Sequence, residues 1–340
     1  MSATEAAAAI GAGWHKAAPE DVLTMLPMAD GGPGFVQVLS AGLGARGRLV
    51  DVPASDPLGR PVTGRLLVVD DEHGRTVYVE SAQVCGLHLL AEAERDPSRT
   101  TSAGLAALLR AAVDEGAKRI VVGLGGTGTN DAGAGMLESL GVDAHRLRGV
   151  ELMAATDVDI PLLGPHGATA VFGPQKGADA ATLPVLEERL ARFADAIAPE
   201  LAELPGAGAA GGIGFGLFAL GGHRTSGADL VMQVLGVSAA VAASDLVITG
   251  EGSLDAQSLQ GKLPIRIAAC CLEARVPCIA ICGRVMLGHS QAVAAGFAET
   301  YSIEAHAGSL PAAIELGPAG LSALAEQAAT AWRISRADSG

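Results

Sequence analysis

The sequence predicts an α/β protein with a doubly wound parallel sheet in its C-terminal third and antiparallel hairpins nearer its start. Three observations carry this. Short apolar runs at 246–249, 276–282 and 300–303 alternate with helical patterns over 231–243, 264–275 and 321–334. Between 49 and 80 the texture changes to short alternating segments punctuated by Pro53, Asp56-Pro57-Leu58-Gly59 and Glu72-His73-Gly74, as hairpins require. The 340 residues include 46 glycines but only 3% aromatics, so burial rests on Ala, Val, Leu and Ile, with tight turns closing strand onto helix.

Taken in order, residues 2–18 read as a helix entered through Ser2 or Thr4, with Glu5 in its first turn. Residues 22–28 read as a strand that places Met25 and Met28 in a core, closed by Ala29-Asp30-Gly31-Gly32. The hairpin region follows and marks a candidate domain boundary. A βα unit comes next: an amphipathic helix over 101–116, a buried strand over 119–122 and a second helix from 133 to 141. Prolines and glycines make 153–177 an ordered loop region with one carboxylate-rich and one cationic turn, and 183–203 is a charged-faced helix.

Composition bounds the function. At 49% hydrophobic residues the chain is long and apolar enough for two folded domains. A formal charge of −14 repels nucleic acid, yet leaves room for a small anionic substrate in a locally basic cleft. The five cysteines, at 85, 270, 271, 278 and 282, lack metal-site spacing and point to a reducing cytoplasm. No basic-then-apolar leader opens the sequence, and the uncharged stretch 204–222 is broken by Pro205 and glycines, so no membrane helix is expected. A homo-oligomer stays open.

Chemistry concentrates in a few turns. A buried apolar strand ends in Thr249-Gly250-Glu251-Gly252-Ser253-Leu254-Asp255, with Gly261-Lys262 shortly after, and this mixture of acids and ammonium suits phosphoryl transfer at a sheet's carboxyl end. Gly123-Leu124-Gly125-Gly126-Thr127-Gly128 follows a strand and matches a dinucleotide-binding turn, with Asp143 near the position of a ribose-binding acid, which offers a nicotinamide-dependent oxidoreductase as an alternative. The same glycines equally serve tight strand-to-helix packing, as does a second match at 206–211. Thr129-Asn130-Asp131 places hydroxyl, amide and carboxylate at a helix start, where they bind a ligand or simply cap. No Walker A motif and no protein-kinase signature is present.

Asp30-Gly31-Gly32, Gly125 through Leu137, Phe172-Gly173-Pro174-Gln175-Lys176-Gly177-Ala178, Pro205 through Gly212 and Thr249 through Asp255 are five motifs that stand in this order along the chain. In both content and order they resemble bacterial class I glycerate kinases. The resemblance runs from Ser2 to about residue 310. It implies ATP- and Mg²⁺-dependent phosphorylation of D-glycerate, usually at the 2-hydroxyl. It also implies a Rossmann-like domain, 1–52 and 232–340, interrupted by an α/β domain with a mixed sheet, 53–231, and a site in the cleft between them.

In that frame Gly125, Gly126, Thr127, Thr129, Asn130, Asp131 and Gly250 are expected at ATP, and Glu251, Asp255 and Asp157 at Mg²⁺. Asp255, Lys176 and Asp157 are the catalytic candidates, with Asp255 as base. Asp30, Glu80, Ser81 and Lys262 are expected at the hydroxy acid. The competing reading of Asp30 and Asp157 is loop capping, and that of Lys176 and Lys262 a solvated surface lysine. Two departures from the family pattern stand out. Its usual opening strand, ending Ala-Pro-Asp-Ser-Phe-Lys-Gly before the first helix, does not precede Ser2, and Pro33-Gly34-Phe35 replaces Glu-Gly-Thr. These departures keep open a non-catalytic binding or regulatory protein of the same fold.

Overall fold

The computed structural model describes residues 1–72 and 74–337, so the turn expected at Glu72-His73-Gly74 includes one residue, His73, outside the described set. The chain divides into two compact units, 29–231 and 1–28 with 232–340. The division falls at 28/29, not at the expected 52/53. The reason is pairing: β1 (Gly47–Ser55) runs antiparallel to β2 (Pro61–Asp71) along its whole length, which draws the preceding residues into the 29–231 unit.

That unit holds a six-stranded mixed sheet in sequential order. β1, β2 and β3 (Gly74–Glu80) are antiparallel, while β3, β4 (Arg119–Gly123), β5 (Glu151–Ala155) and β6 (His223–Thr225) are parallel. The helices Leu105–Asp114, Ala134–Leu140 and Thr182–Ile197 bury Leu105, Leu108, Leu109, Met136 and Leu190 with Ile120 and Val122 of β4 in one core. Phe35, which opens the helix Phe35–Leu43, meets Tyr78 of β3 edge to face at 6.1 Å.

The other unit shows why its strands read as continuous apolar runs. Its sheet is three-stranded, with β9 (Cys278–Cys282) parallel to β7 (Val247–Thr249) on one side and β11 (Glu299–Ser302) on the other. Along Cys-Ile-Ala-Ile-Cys, Cys278, Ala280 and Cys282 pack with Ile267 and Cys271 of the helix Leu263–Ala274, while Ile279 and Ile281 pack with Trp14 and Leu324 of the helices Ala3–Ala17 and Leu310–Ala337. Helices therefore cover both faces, the doubly wound arrangement. A short parallel pair, β8 (Ser253–Leu254) with β10 (Arg284–Val285), extends the carboxyl ends of β7 and β9.

Ser2 caps the first helix with Glu5 in a capping box, as its spacing predicts. Residues 22–28 form no strand; Met25 is exposed and Met28 half-buried. The helix expected over 231–243 breaks into Gly227–Val234 and Val237–Ala242 at Gly236, whose φ is +66°. All five cysteines are free thiols, four of them buried. No described helix is long and apolar enough to cross a membrane.

Candidate active site

In the 29–231 unit, glycines let the Asp30 turn close onto the carboxyl ends of β4 and β5. A Cβ placed on Gly31 would lie 2.5 Å from the Ala155 carbonyl oxygen, one on Gly123 2.6 Å from the Gly31 oxygen, and one on Gly125 2.7 Å from the Gly32 Cα. Any side chain there would push the Asp30 turn away. Asp30 is exposed at this rim, and its carboxylate accepts from the Gly32 amide at 3.2 Å, an Asx turn.

Glu80, at the end of β3, is buried. Its two oxygens accept from the Gly34 and Val36 amides at 3.0 and 3.1 Å, which caps the helix Phe35–Leu43 in the absence of a capping side chain at Gly34. Ser81 donates to the Gly123 carbonyl at 2.8 Å. Both side chains hold the turn in place. Pro33 packs where a Cβ on Gly126 would sit, 2.5 Å away.

The segment after Gly126 is dense with buried polar groups. Asp131 accepts from the Ser102 amide and hydroxyl and from the Gly133 and Gly135 amides, so four donors saturate it and fix the start of the helix Ala134–Leu140. Lys176 is buried and donates to the Thr129 carbonyl at 2.7 Å. Burial pulls its ammonium down to about 8, against the opposing pull of Asp131. By contrast Thr127 Oγ1, Thr129 Oγ1 and Asn130 Oδ1 are sealed without a partner among the described residues, although Asn130 Nδ2 reaches Thr169 at 3.0 Å. The backbone here is left-handed at Ala132 and again at Ala210, Gly211 and Gly212, and the Ala132 amide bonds the Gly211 carbonyl at 3.1 Å. Asp157, after β5, accepts from Ser226 Oγ at 2.7 Å and the Ala228 amide at 3.0 Å.

In the other unit the turn after β7 carries the second cluster. Gly250 lies against β9, where a Cβ would meet the Ile281 oxygen at 2.0 Å. Lys262 Nζ stands 3.7 Å from Glu251 and 3.9 Å from Asp255. Asp255 accepts from the Gln257 and Ser258 amides. Partial desolvation works against its ionised form, but those amides and Lys262 prevail and hold it below the ordinary carboxylate range. Glu251 keeps one oxygen, Oε1, buried and unpartnered among the described residues.

A family model described as the glycerate kinase family matches residues 1–146 and 143–333. The chain belongs to the glycerate kinase family. It is 40% identical over 317 residues to a glycerate kinase of Bacillus subtilis, covering 84% of this chain and 82% of that one. A glycerate 2-kinase of Escherichia coli is 36% identical over 315 residues, covering 83% and 82%. Among solved structures, a putative glycerate kinase 2 from Salmonella typhimurium superposes with a TM-score of 0.77 at 33% identity, over 99% of this chain and 96% of that one.

Membership makes this protein a kinase and displaces the nicotinamide reading, with which the local structure also disagrees. In this glycerate kinase the helix begins only at Ala134, with ten residues between it and the end of β4 at Gly123, and Asp143 lies 3.8 Å from Arg110. Sequence reasoning missed Ser102, Ser226 and Ser258, the hydroxyls that hold Asp131, Asp157 and Asp255. Ser102 and Ser226 are far along the chain from the acids they serve, and no local pattern marks them.

Proposed function

We propose that this glycerate kinase transfers the γ-phosphoryl group of ATP to the 2-hydroxyl of D-glycerate with Mg²⁺ bound. The observation that carries the reading is the paired-acid turn at Glu251 and Asp255 with Lys262 within ion-pair reach of both, since phosphoryl transfer is mainly positioning and neutralisation of charge. The 2-hydroxyl is favoured by the relative named glycerate 2-kinase.

The Glu251–Asp255 turn fits Mg²⁺. Among the described residues no group of three or more acidic, histidine or cysteine ligands gathers, but Mg²⁺ characteristically takes one or two carboxylates and completes its shell with water and phosphate oxygens. The unpartnered Glu251 Oε1 and the ionised Asp255 supply two such oxygens. When bound there, the ion would neutralise charge on the nucleotide phosphates. Lys262 adds a second positive charge at the same turn, Gly250 keeps the backbone close to β9, and Asp255 accepts the alcohol proton.

To turns of the mixed-sheet unit we assign contacts with the hydroxy acid and with phosphate. Asp30, the exposed carboxylate at the glycine-walled rim, orients the glycerate hydroxyls. Gly125, Gly126, Thr127, Thr129 and Asn130 line the nucleotide phosphates. Asp131, Glu80 and Ser81, whose hydrogen bonds go to the protein itself, act by holding those turns, and Asp157 braces the start of the helix Gly227–Val234. Operation in the cytoplasm suits five free thiols.

Purified protein incubated with ATP, Mg²⁺ and D-glycerate tests this by ³¹P NMR. A phosphate on the secondary C2 carbon appears as a proton-coupled doublet, one on the primary C3 carbon as a triplet. The doublet is expected, and chelation with EDTA removes it. A triplet overturns the 2-hydroxyl assignment, and turnover that survives EDTA overturns the metal.

A further inference from the structure

The segment 95–100 is assigned no role above, yet it touches both buried turns of the mixed-sheet unit. Gly177, directly after Lys176, has φ +100°, and a Cβ there would lie 2.0 Å from the Arg95 carbonyl oxygen. Thr100 Oγ1 donates to the Gly128 carbonyl at 3.0 Å. The Arg95 backbone therefore lies against the Lys176 turn, and Thr100, five residues on, is tied to the Gly126–Asn130 segment.

Its guanidinium is incompletely satisfied. Arg95 Nε is sealed from solvent, and no acceptor reaches it among the described residues. A covered donor on a cation is more costly to leave unmade than a neutral one, and few persist in folded proteins without a partner. The neighbouring turn repeats the pattern: Thr127 Oγ1, Thr129 Oγ1 and Asn130 Oδ1 are unpartnered, and Lys176 has one acceptor, Thr129 O, for three ammonium protons. The nearby carboxylate, Asp131, is saturated by its own four donors. Two cations and two hydroxyls thus have donor capacity left over, in a protein whose total charge is −14.

We propose that Arg95, which lies outside the sequence motifs, binds an oxyanion of the substrates, completing a recess with Lys176 and the Thr127–Asn130 turn. The chemistry has two sources, the carboxylate of the hydroxy acid and a phosphate of the nucleotide, because the planar guanidinium fork matches either. The inference rests on the phosphoryl-transfer reading of the site and adds a specificity residue to it.

Steady-state kinetics of Arg95→Gln and Arg95→Lys, each with both substrates varied, separates the sources. With Arg95→Gln we expect KM to rise about tenfold or more for one substrate, with kcat and the other KM changed by less than about threefold. A rise for D-glycerate assigns the carboxylate, and a rise for ATP the phosphate. Arg95→Lys, which keeps charge but not the fork and serves if the Gln variant does not fold, should fall between. Both KM values within about twofold of wild type in either folded variant, even with a lowered Tm, would overturn the proposal. Calorimetric binding of D-glycerate alone and of ATP alone to wild type and Arg95→Lys gives a readout without turnover. If the wild type phosphorylates no hydroxy acid, the functional reading fails, whereas equal binding of both ligands by wild type and variant sinks Arg95 by itself.

Discussion

At Lys176 burial and function pull in opposite directions, which makes pH informative. Its ammonium loses its proton near pH 8 in the folded protein and near the ordinary 10.5 when unfolded. Below about pH 8 both states carry the charge and the folded state bears the full desolvation cost. Between pH 8 and 10.5 the unfolded chain binds the extra proton, so this group's contribution to stability rises with pH. Activity should move the other way if the charged ammonium grips an anion. We expect kcat/KM to fall above about pH 8, and Lys176→Arg, which stays protonated, to lose that alkaline limb. An unchanged limb in the variant, followed across pH 6–10, would assign it to another group. Asp255 gives the complementary test: Asp255→Asn should cut kcat by about a hundredfold or more while the circular dichroism melt stays cooperative, because a general base or metal ligand acts on turnover far more than on folding. The motif Thr249-Gly250-Glu251-Gly252-Ser253-Leu254-Asp255 makes this cluster legible, since both acids lie within one turn and Lys262 follows seven residues on. Glu80 looked like a substrate group in the sequence. Its cap reaches an amide 46 residues away, a separation no local pattern encodes.

Between elements, the glycines decide which turns approach. Gly211 has φ +70°, and a Cβ there would lie 1.9 Å from the Thr129 carbonyl and 2.8 Å from Lys176 Nζ. Gly211→Ala should therefore destabilise the protein by about 2–4 kcal/mol, the sum of left-handed strain and displacement of the Thr129 turn, read as a lower urea midpoint at unchanged m. Glu80→Gln separates the cap from substrate binding: loss of the charged double acceptor should lower stability by about 1 kcal/mol with KM for glycerate unchanged. A raised KM at unchanged stability would return Glu80 to the substrate. The hairpins and the βα alternation were legible because period and turn chemistry agree there. Residues 22–28 misled because their apolar content imitates a strand, whereas a strand needs a hydrogen-bonded neighbour and none pairs with it among the described residues. The apolar pattern over 231–243 predicts Gly236 inside a helix, whereas its left-handed φ ends the helix there.

At the scale of the whole molecule, the proposed reaction requires so acidic a chain to bind two anions. A formal charge of −14 makes the average surface repel glycerate and nucleotide alike, and that repulsion acts over the longest distances. Salt screens it first, because the Debye length falls to about 8 Å at 0.15 M, whereas buried cations such as Lys176 are screened far less. The sign of the salt effect therefore tells which field governs capture. Raising NaCl from about 10 to 150 mM at fixed free Mg²⁺ should increase kcat/KM for D-glycerate, by about twofold, if the general surface repels and the recess attracts only at contact. A steep decrease over the same range would instead place an attractive cationic funnel outside the recess, and the lysine and arginine of the buried turns would then act as the end of a longer electrostatic path.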